Sequence, residues 1–256
     1  MNTLFDMHCH LGFASDPARA ARDGAAAGIA ALSCTVEPSE YERLRPLLAD
    51  CGSVALGLGA HPWWIADGRV GERELEAFCA LAPEVPYIGE IGLDFARERG
   101  SNESRRLQTD AFERMLRACN EAPGKLLSVH AVQAADTALD LLEQTGTAAK
   151  HRVIFHWFSG TSDDLARALR LGCFFSVGPR MLASRRGREY ARQIPLERLV
   201  LETDLPARDG EPLPANVWHA ELNNALTGIA QLKGLAPDKL AEHLAATSET
   251  LLAMPL

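Results

Sequence analysis

The sequence predicts an α/β fold, a (β/α)8 TIM barrel. Short apolar runs recur at a steady rhythm along the 256 residues, each bounded by turn or polar residues, as buried parallel strands are. Most of the stretches between them read as helix. No GxGxxG or GxxxxGKS turn follows a strand, so the runner-up, an open doubly wound sheet, has no cradle for its usual ligands.

The strands are read at Leu4–His8, Ala31–Val36, Val54–Ala60, Tyr87–Leu93, Leu126–His130, Val153–His156, Cys173–Val177 and Leu199–Glu202. Among the helices, Glu103–Glu121 sets Leu107, Ala111, Met115, Leu116 and Cys119 on a helical period. Thr137–Gln144 carries Leu139, Leu141 and Leu142, and Asp163–Leu171 follows a Ser-Gly-Thr-Ser turn that can cap it. Trp218–Leu232 and Pro237–Leu252 close the chain, with Pro237 suited to a first turn. The irregular segment 206–216 follows the eighth strand and reads as a loop at the barrel mouth. With no repeat, low-complexity tract or linker, the chain reads as one domain, 1–256.

An apolar fraction of 47% supports a deep core and argues against disorder, collagen or a small disulfide scaffold. With 26 Lys/Arg against 34 Asp/Glu, a net charge of -8 opposes coating of DNA through a broad basic face. It leaves a nuclease open, because a bound divalent metal can hold a phosphate without such a face. The six cysteines form no CxxC pair and read as free, mostly buried thiols in a reducing compartment. No secretory signal or 18-residue apolar run is visible, so a cytoplasmic protein without a membrane span is expected.

Chemistry collects at the strand ends. His8 and His10 end the first strand, His61 the third, His130 the fifth and His156 the sixth; Glu90 lies late in the fourth, followed by Asp94, and Glu202 and Asp204 end the eighth. In a barrel these ends converge on the face that carries active sites. A lone histidine is usually a surface or hydrogen-bonded residue, but burying this many imidazoles and carboxylates together is costly without a cation. His8, His10 and Asp204 suit one ion, His130 and His156 a second, and Glu90 a bridge between them. Mixed nitrogen and oxygen ligands favour two divalent ions among zinc, manganese and magnesium, the histidines pointing to zinc or manganese. Two cations depress the pKa of bound water for attack on a phosphoester, amide or lactone. Asp204 can then take the nucleophile's proton and pass it to the leaving group.

The blocks DMHCHL, GAHPW, GEIGLDF, SVHA, FHWFSG and LETDLP, in this order, resemble the signature of the TatD family of metal-dependent deoxyribonucleases, amidohydrolase-like barrels. The likeness runs from Leu4 to about Leu252. It implies that His8, His10, Glu90, His130, His156 and Asp204 are metal ligands, that His61 lies near the substrate phosphate, and that DNA is hydrolysed with divalent metals, magnesium often among them, commonly from 3′ to 5′. Single strands or DNA ends are the implied partners. The chain departs from the family pattern at Val132, where an arginine is frequent, and at Ala207, where an aromatic is usual. A final-helix asparagine is also replaced within AATSETLL. The run GCFFSVGPRML, with HWFSG and LLSVHA, resembles a subgroup encoded in bacterial anti-phage defence (Qat-type) operons, which implies partner proteins from such an operon. A monomer or weak oligomer is expected.

For phosphate contact the candidates are Arg97, Arg99, Arg180 and Arg208, with Arg180 first and Arg97 next. Trp63, Trp64, Phe95, Trp157 and Phe158 lie near the mouth as stacking or packing residues. Asp94 and Glu202 read as braces for ligands, and Cys9 as facing away. A competing enzyme class is an amidohydrolase acting on a small amide, lactone or phosphoester. Such barrels often bridge metals with a carboxylated lysine, and Lys125 precedes the fifth strand too early for that. A metal-stabilised scaffold in a defence or repair complex is the non-enzymatic alternative, disfavoured by the intact ligand set.

Overall fold

A computed structural model describes residues 3–253, apart from the side chains of Arg97 and Glu98. Eight strands follow one another among these residues: β1 (Leu4–Cys9), β2 (Ile29–Cys34), β3 (Val54–Gly57), β4 (Tyr87–Asp94), β5 (Leu126–Val132), β6 (Arg152–His156), β7 (Phe174–Val177) and β8 (Leu199–Leu201). All pair in parallel and in chain order, β1 to β3 in one sheet and β4 to β8 in another. Backbone bonds close both seams. Leu58 N donates to Tyr87 O at 3.0 Å and Gly89 N to Leu58 O at 2.8 Å, while Asp204 N donates to His8 O at 3.0 Å and His10 N to Leu205 O at 2.7 Å. The outcome is the (β/α)8-like barrel expected from the strand rhythm.

Helices fill the connections: α1 (Pro17–Ala26), α2 (Pro38–Leu48), α3 (Pro62–Ala66), α4 (Glu72–Leu81), α5 (Asn102–Cys119), α6 (Ala135–Gln144), α7 (Thr147–Lys150), α8 (Ser162–Arg170), α9 (Pro179–Ala183), α10 (Arg185–Gln193), α11 (Ala215–Lys233) and α12 (Pro237–Leu252). The expected helices correspond to α5, α6, α8, α11 and α12, and Pro237 opens α12 as foreseen. Segment 206–216 holds no strand or helix before α11. No helix among the described residues is long and apolar enough to cross a membrane. Strand β3 stops at Gly57, short of the predicted Ala60, because the chain leaves β2 there to bond with β4.

The strands divide two apolar layers. Phe5, Met7, Leu32, Cys34, Leu126, Ile154, Phe174 and Val200 fill the barrel interior, plugged below by Leu251 of α12. Ile29, Ala31, Ile88, Ile91, Leu127, Val129, Phe155 and Phe175 face outward against the helices. At the β8–β1 seam, buried Asp6 accepts from Thr203 N at 3.0 Å, Thr203 Oγ1 at 2.5 Å and Trp218 Nε1 at 2.6 Å. Burial pushes its carboxyl up to about 6 even though these donors favour the charged form. Asp6 thereby ties α11 to both strands flanking the seam.

Gly92 lies between Glu90 and Asp94 on β4 at φ +136°, and a Cβ there would fall on the His130 carbonyl oxygen. The Gly92→Ala variant is expected to lose about 2–4 kcal/mol of stability through strain and a forced parting of β4 from β5. Urea denaturation measures this, and an unchanged midpoint would show that the close approach of the two strands is dispensable.

Candidate metal centre

Strict alternation along β1 would defeat the site. Phe5 and Met7 face the barrel interior, so the same parity would bring Cys9 inward and turn His8 and His10 out. A bulge prevents this: Asp6 pairs with Ala31 but Cys9 with Ser33, so one extra residue of β1 is accommodated. Cys9 then joins the outer layer, donating to the Leu32 carbonyl at 3.7 Å. Burial pushes its thiol well above the usual value, which keeps it protonated and unlike a thiolate ligand. A second bulge lies in β4, where Ile88 pairs with Leu127 and Glu90 with Ser128. Beyond it, Ile91 and Leu93 face outward, leaving Glu90 and Asp94 on the opposite, inward parity. Strands β5 and β6 need no bulge, because Leu126 and Ile154 already share parity with His130 and His156.

Glu90 is 3% exposed and sits among five imidazoles. Its Oε2 lies 3.2 Å from His10 Nε2 and 3.6 Å from His8 Nε2. Its Oε1 lies 2.8 Å from His130 Nδ1, 2.8 Å from His156 Nε2 and 3.1 Å from His61 Nε2. Asp204 reaches His10 Nε2 at 3.2 Å from the end of β8, held there at φ +59°, a left-handed conformation that aspartate tolerates. The ring nitrogens meet in pairs, His8 with His10 at 3.3 Å and His130 with His156 at 3.0 Å. Three groups bring ligand atoms within 4.8 Å of one another: His8, His10 and Asp204; His8, Glu90 and His156; His61, Glu90 and His130.

The far ring nitrogens decide what each histidine offers. His10 Nδ1 faces the Cys34 carbonyl at 2.9 Å, His130 Nε2 the Asp94 carboxylate at 3.1 Å, and His8 Nδ1 the Ser128 hydroxyl at 2.7 Å. An acceptor on the far side puts the proton there and leaves a lone pair for the centre, as metal-ligating histidines require. His156 Nδ1 is buried without a hydrogen-bond partner among the described residues, 3.7 Å from Glu202. His61 is reversed. Its Nδ1 accepts the Trp63 N–H at 3.0 Å, capping α3, so Nε2 carries the proton and offers the centre a donor. The paired nitrogens and the two oxygens of Glu90 form a donor set compatible with divalent metal coordination.

Charge is distributed accordingly. Burial disfavours ionisation at every group here, yet His61, His156, His10 and His130 hold Glu90 well below the carboxylate range, and His10, His156 and His8 do the same for Asp204. Burial lowers His10 and His130, but Asp204 and Glu90 outweigh it at the first, and Asp94 and Glu90 bring the second up to about 9. Burial and the neighbouring His156 take His8 down to about 3. Burial, reinforced by the nearby carboxylates, pushes Glu202 well above its usual value, while Ser176 donates a hydrogen bond to it.

The other expected residues fall in different places. Arg180 donates to Asp204 Oδ2 at 2.5 Å, so it borders the cluster by way of a carboxylate. The side chain of Arg97 lies outside the described residues. Arg99 and Arg208 line the cavity of about 1070 Å³ above the cluster, together with Trp63, Trp64 and Trp157. Phe95 and Phe158 are buried and belong to the packing. Lys125 donates Nζ to the Pro83 and Val85 carbonyls at the opposite ends of the strands, where it cannot bridge metals. Sequence reasoning missed the bond from Trp63 Nε1 to Asp94 Oδ2 at 2.5 Å, although an aromatic directly after His61-Pro62 was its signal.

The family model described as TatD related DNase matches residues 5–253. The chain belongs to the TatD family. It is 32% identical over 243 residues to the 3′-5′ ssDNA/RNA exonuclease TatD of Citrobacter rodentium, covering 90% of this chain and 89% of that protein. It is 28% identical over 257 residues to the human deoxyribonuclease TATDN3, covering 93% and 90%. Among solved structures, YJJV, a TatD homologue of Escherichia coli, superposes with a TM-score of 0.77 at 22% identity over 97% of both chains. A TatD-family hydrolase of Entamoeba histolytica gives 0.79 at 16% identity over 98% of both. The TatD family assignment matches the resemblance seen in the blocks from DMHCHL to LETDLP. These relatives lend no support to the defence-operon subgroup.

Because His10 and His130 are held protonated at neutral pH, a metal entering the centre must displace their protons. Affinity for Zn²⁺ or Mn²⁺ is therefore expected to rise with pH toward about 9, with at least one proton released per protein at pH 7. Calorimetry in buffers of different ionisation enthalpy counts those protons, and zero release would contradict this charge assignment.

Proposed function

We propose that this chain is a divalent-metal-dependent hydrolase that cleaves DNA phosphodiester bonds, acting from 3′ to 5′ on single strands or DNA ends. The observation that carries the reading is Glu90, whose Oε2 faces His8 and His10 while Oε1 faces His130 and His156. That arrangement suits a bridge between two ions, with Asp204 completing the set around the first. The names of the exonuclease and deoxyribonuclease relatives support DNA as substrate and 3′ to 5′ as polarity. Zinc, manganese or magnesium bound there would acidify water and polarise the phosphate.

The protein's own groups divide the remaining work. Asp204 is ionised and close to both His10 and Arg180, so it can accept a proton from the attacking water and return it to the leaving oxygen. Arg180 puts a guanidinium at the edge of the cluster, where a phosphate oxygen can share it. His61 keeps its proton on Nε2 through the Trp63 N–H, and burial keeps the ring neutral. It can thus donate a hydrogen bond to a phosphoryl oxygen. Arg97, by its place in the sequence after β4, is a further phosphate contact.

Asp204→Asn is expected to lower hydrolysis of single-stranded DNA by about 10²–10⁴-fold while leaving oligonucleotide binding within reach of the parent. Separate 3′ and 5′ labels on the substrate reveal the polarity, with chelator-stripped protein restored by Mg²⁺, Mn²⁺ or Zn²⁺. Shortening from the 5′ end would overturn the polarity. Absence of metal-dependent DNA cleavage would overturn the nuclease assignment itself.

A further inference from the structure

Trp63 stands at the cavity mouth with 42% of its surface exposed, yet its indole N–H turns inward to Asp94 Oδ2 at 2.5 Å. The same oxygen accepts from His130 Nε2 at 3.1 Å, and His130 Nδ1 meets Glu90 Oε1 at 2.8 Å. Three hydrogen bonds therefore run from an exposed ring to the carboxylate at the middle of the cluster. Asp94 is clamped from behind. Its N–H donates to Gln108 Oε1 at 2.7 Å, its carbonyl accepts from Gln108 Nε2 at 2.9 Å, and Oδ1 accepts from Ala96 N at 2.9 Å. The orientation of Oδ2 is left to Trp63 and His130. One face of the indole carries the Arg99 guanidinium at 4.6 Å, itself tied to Asp67 at 3.1 Å, and this fixes the ring plane.

We propose that Trp63 is a positioning residue that joins the substrate platform to the metal centre. Its N–H holds Asp94 Oδ2 where that oxygen keeps the His130 proton on Nε2 and turns Nδ1 toward Glu90. The ring face not covered by Arg99 takes a nucleobase next to the scissile phosphate. The ligating role of His130 and the nucleic-acid substrate both rest on the function proposed above. Phenylalanine or tyrosine would supply a stacking face as well, but neither places an N–H on Asp94. The two contributions are separable for that reason.

The test compares Trp63→Phe with the parent as full-length proteins. Titration with Zn²⁺ against a chromophoric chelator is expected to show about 3- to 30-fold weaker binding in Trp63→Phe, below the roughly 10- to 100-fold typical of losing a ligand's direct partner because Trp63 acts one bond further out. On single-stranded DNA, kcat falls while KM stays within about twofold, because the stacking face survives; Trp63→Ala raises KM as well. In an Asp94→Ala background, which removes the shared acceptor, Trp63→Phe changes neither metal affinity nor kcat further. Parental metal affinity and kcat in Trp63→Phe would overturn the proposal, as would an undiminished effect in the Asp94→Ala background. If the parent leaves DNA uncut, the nuclease assignment fails, and the metal titrations still decide the role of Trp63.

Discussion

A carboxylate sealed inside a barrel must be matched by positive charge, and Glu90 is the group on which that demand falls. Isolated burial of its charge would cost far more than the fold can supply, so the surrounding architecture is organised to compensate it. Five imidazoles come from the ends of four strands or their continuations, β1, β3, β5 and β6, and Asp204 from the end of β8. Only a closed parallel barrel brings those ends to one place. The same demand explains why the seams close by backbone bonds at Leu58–Gly89, His8–Asp204 and His10–Leu205, next to the cluster. Loosening either seam would separate the charges that neutralise one another.

The order of strands, their parallel pairing and the residue types at their ends were legible because each strand is a short apolar run punctuated by a polar residue. Side-chain direction was less so. Two bulges, between Asp6 and Cys9 and between Ile88 and Glu90, reverse the inward parity just where the clustered histidines and carboxylates begin. A bulge of this kind has no local signature beyond one extra residue, so alternation alone cannot tell His8 from Cys9. Partnerships across the barrel were hidden for a different reason. The hydrogen bonds of Asp94 to Trp63, 31 residues away in sequence, and of Arg180 to Asp204 exist only once the strand ends meet. Arg180, read as a phosphate contact, therefore also engages the carboxylate beside it.

The cluster and the cavity wall balance their charges in contrasting ways. In the cluster, anions are compensated by titratable imidazoles that can yield to a stronger cation. On the wall, three arginines are committed to acids, Arg69 to Glu37, Arg99 to Asp67 and Arg180 to Asp204, while Arg43 and Arg208 line it outside any ion pair among the described residues. Two of these also lie over aromatic faces, Arg69 on Trp64 at 4.1 Å and Arg99 on Trp63 at 4.6 Å. Paired guanidinium groups contribute little net field, and the chain as a whole carries -8. A polyanion approaching this mouth meets aromatic surface and neutral ion pairs, with Arg43 and Arg208 as cations outside such pairs. Ions held at Glu90, Asp204 and the histidines, as proposed, would add to the pull of Arg43 and Arg208 on a phosphate. Substrate affinity and metal occupancy are in that case properties of one site, and the aromatic rim governs which part of the substrate can settle beside it.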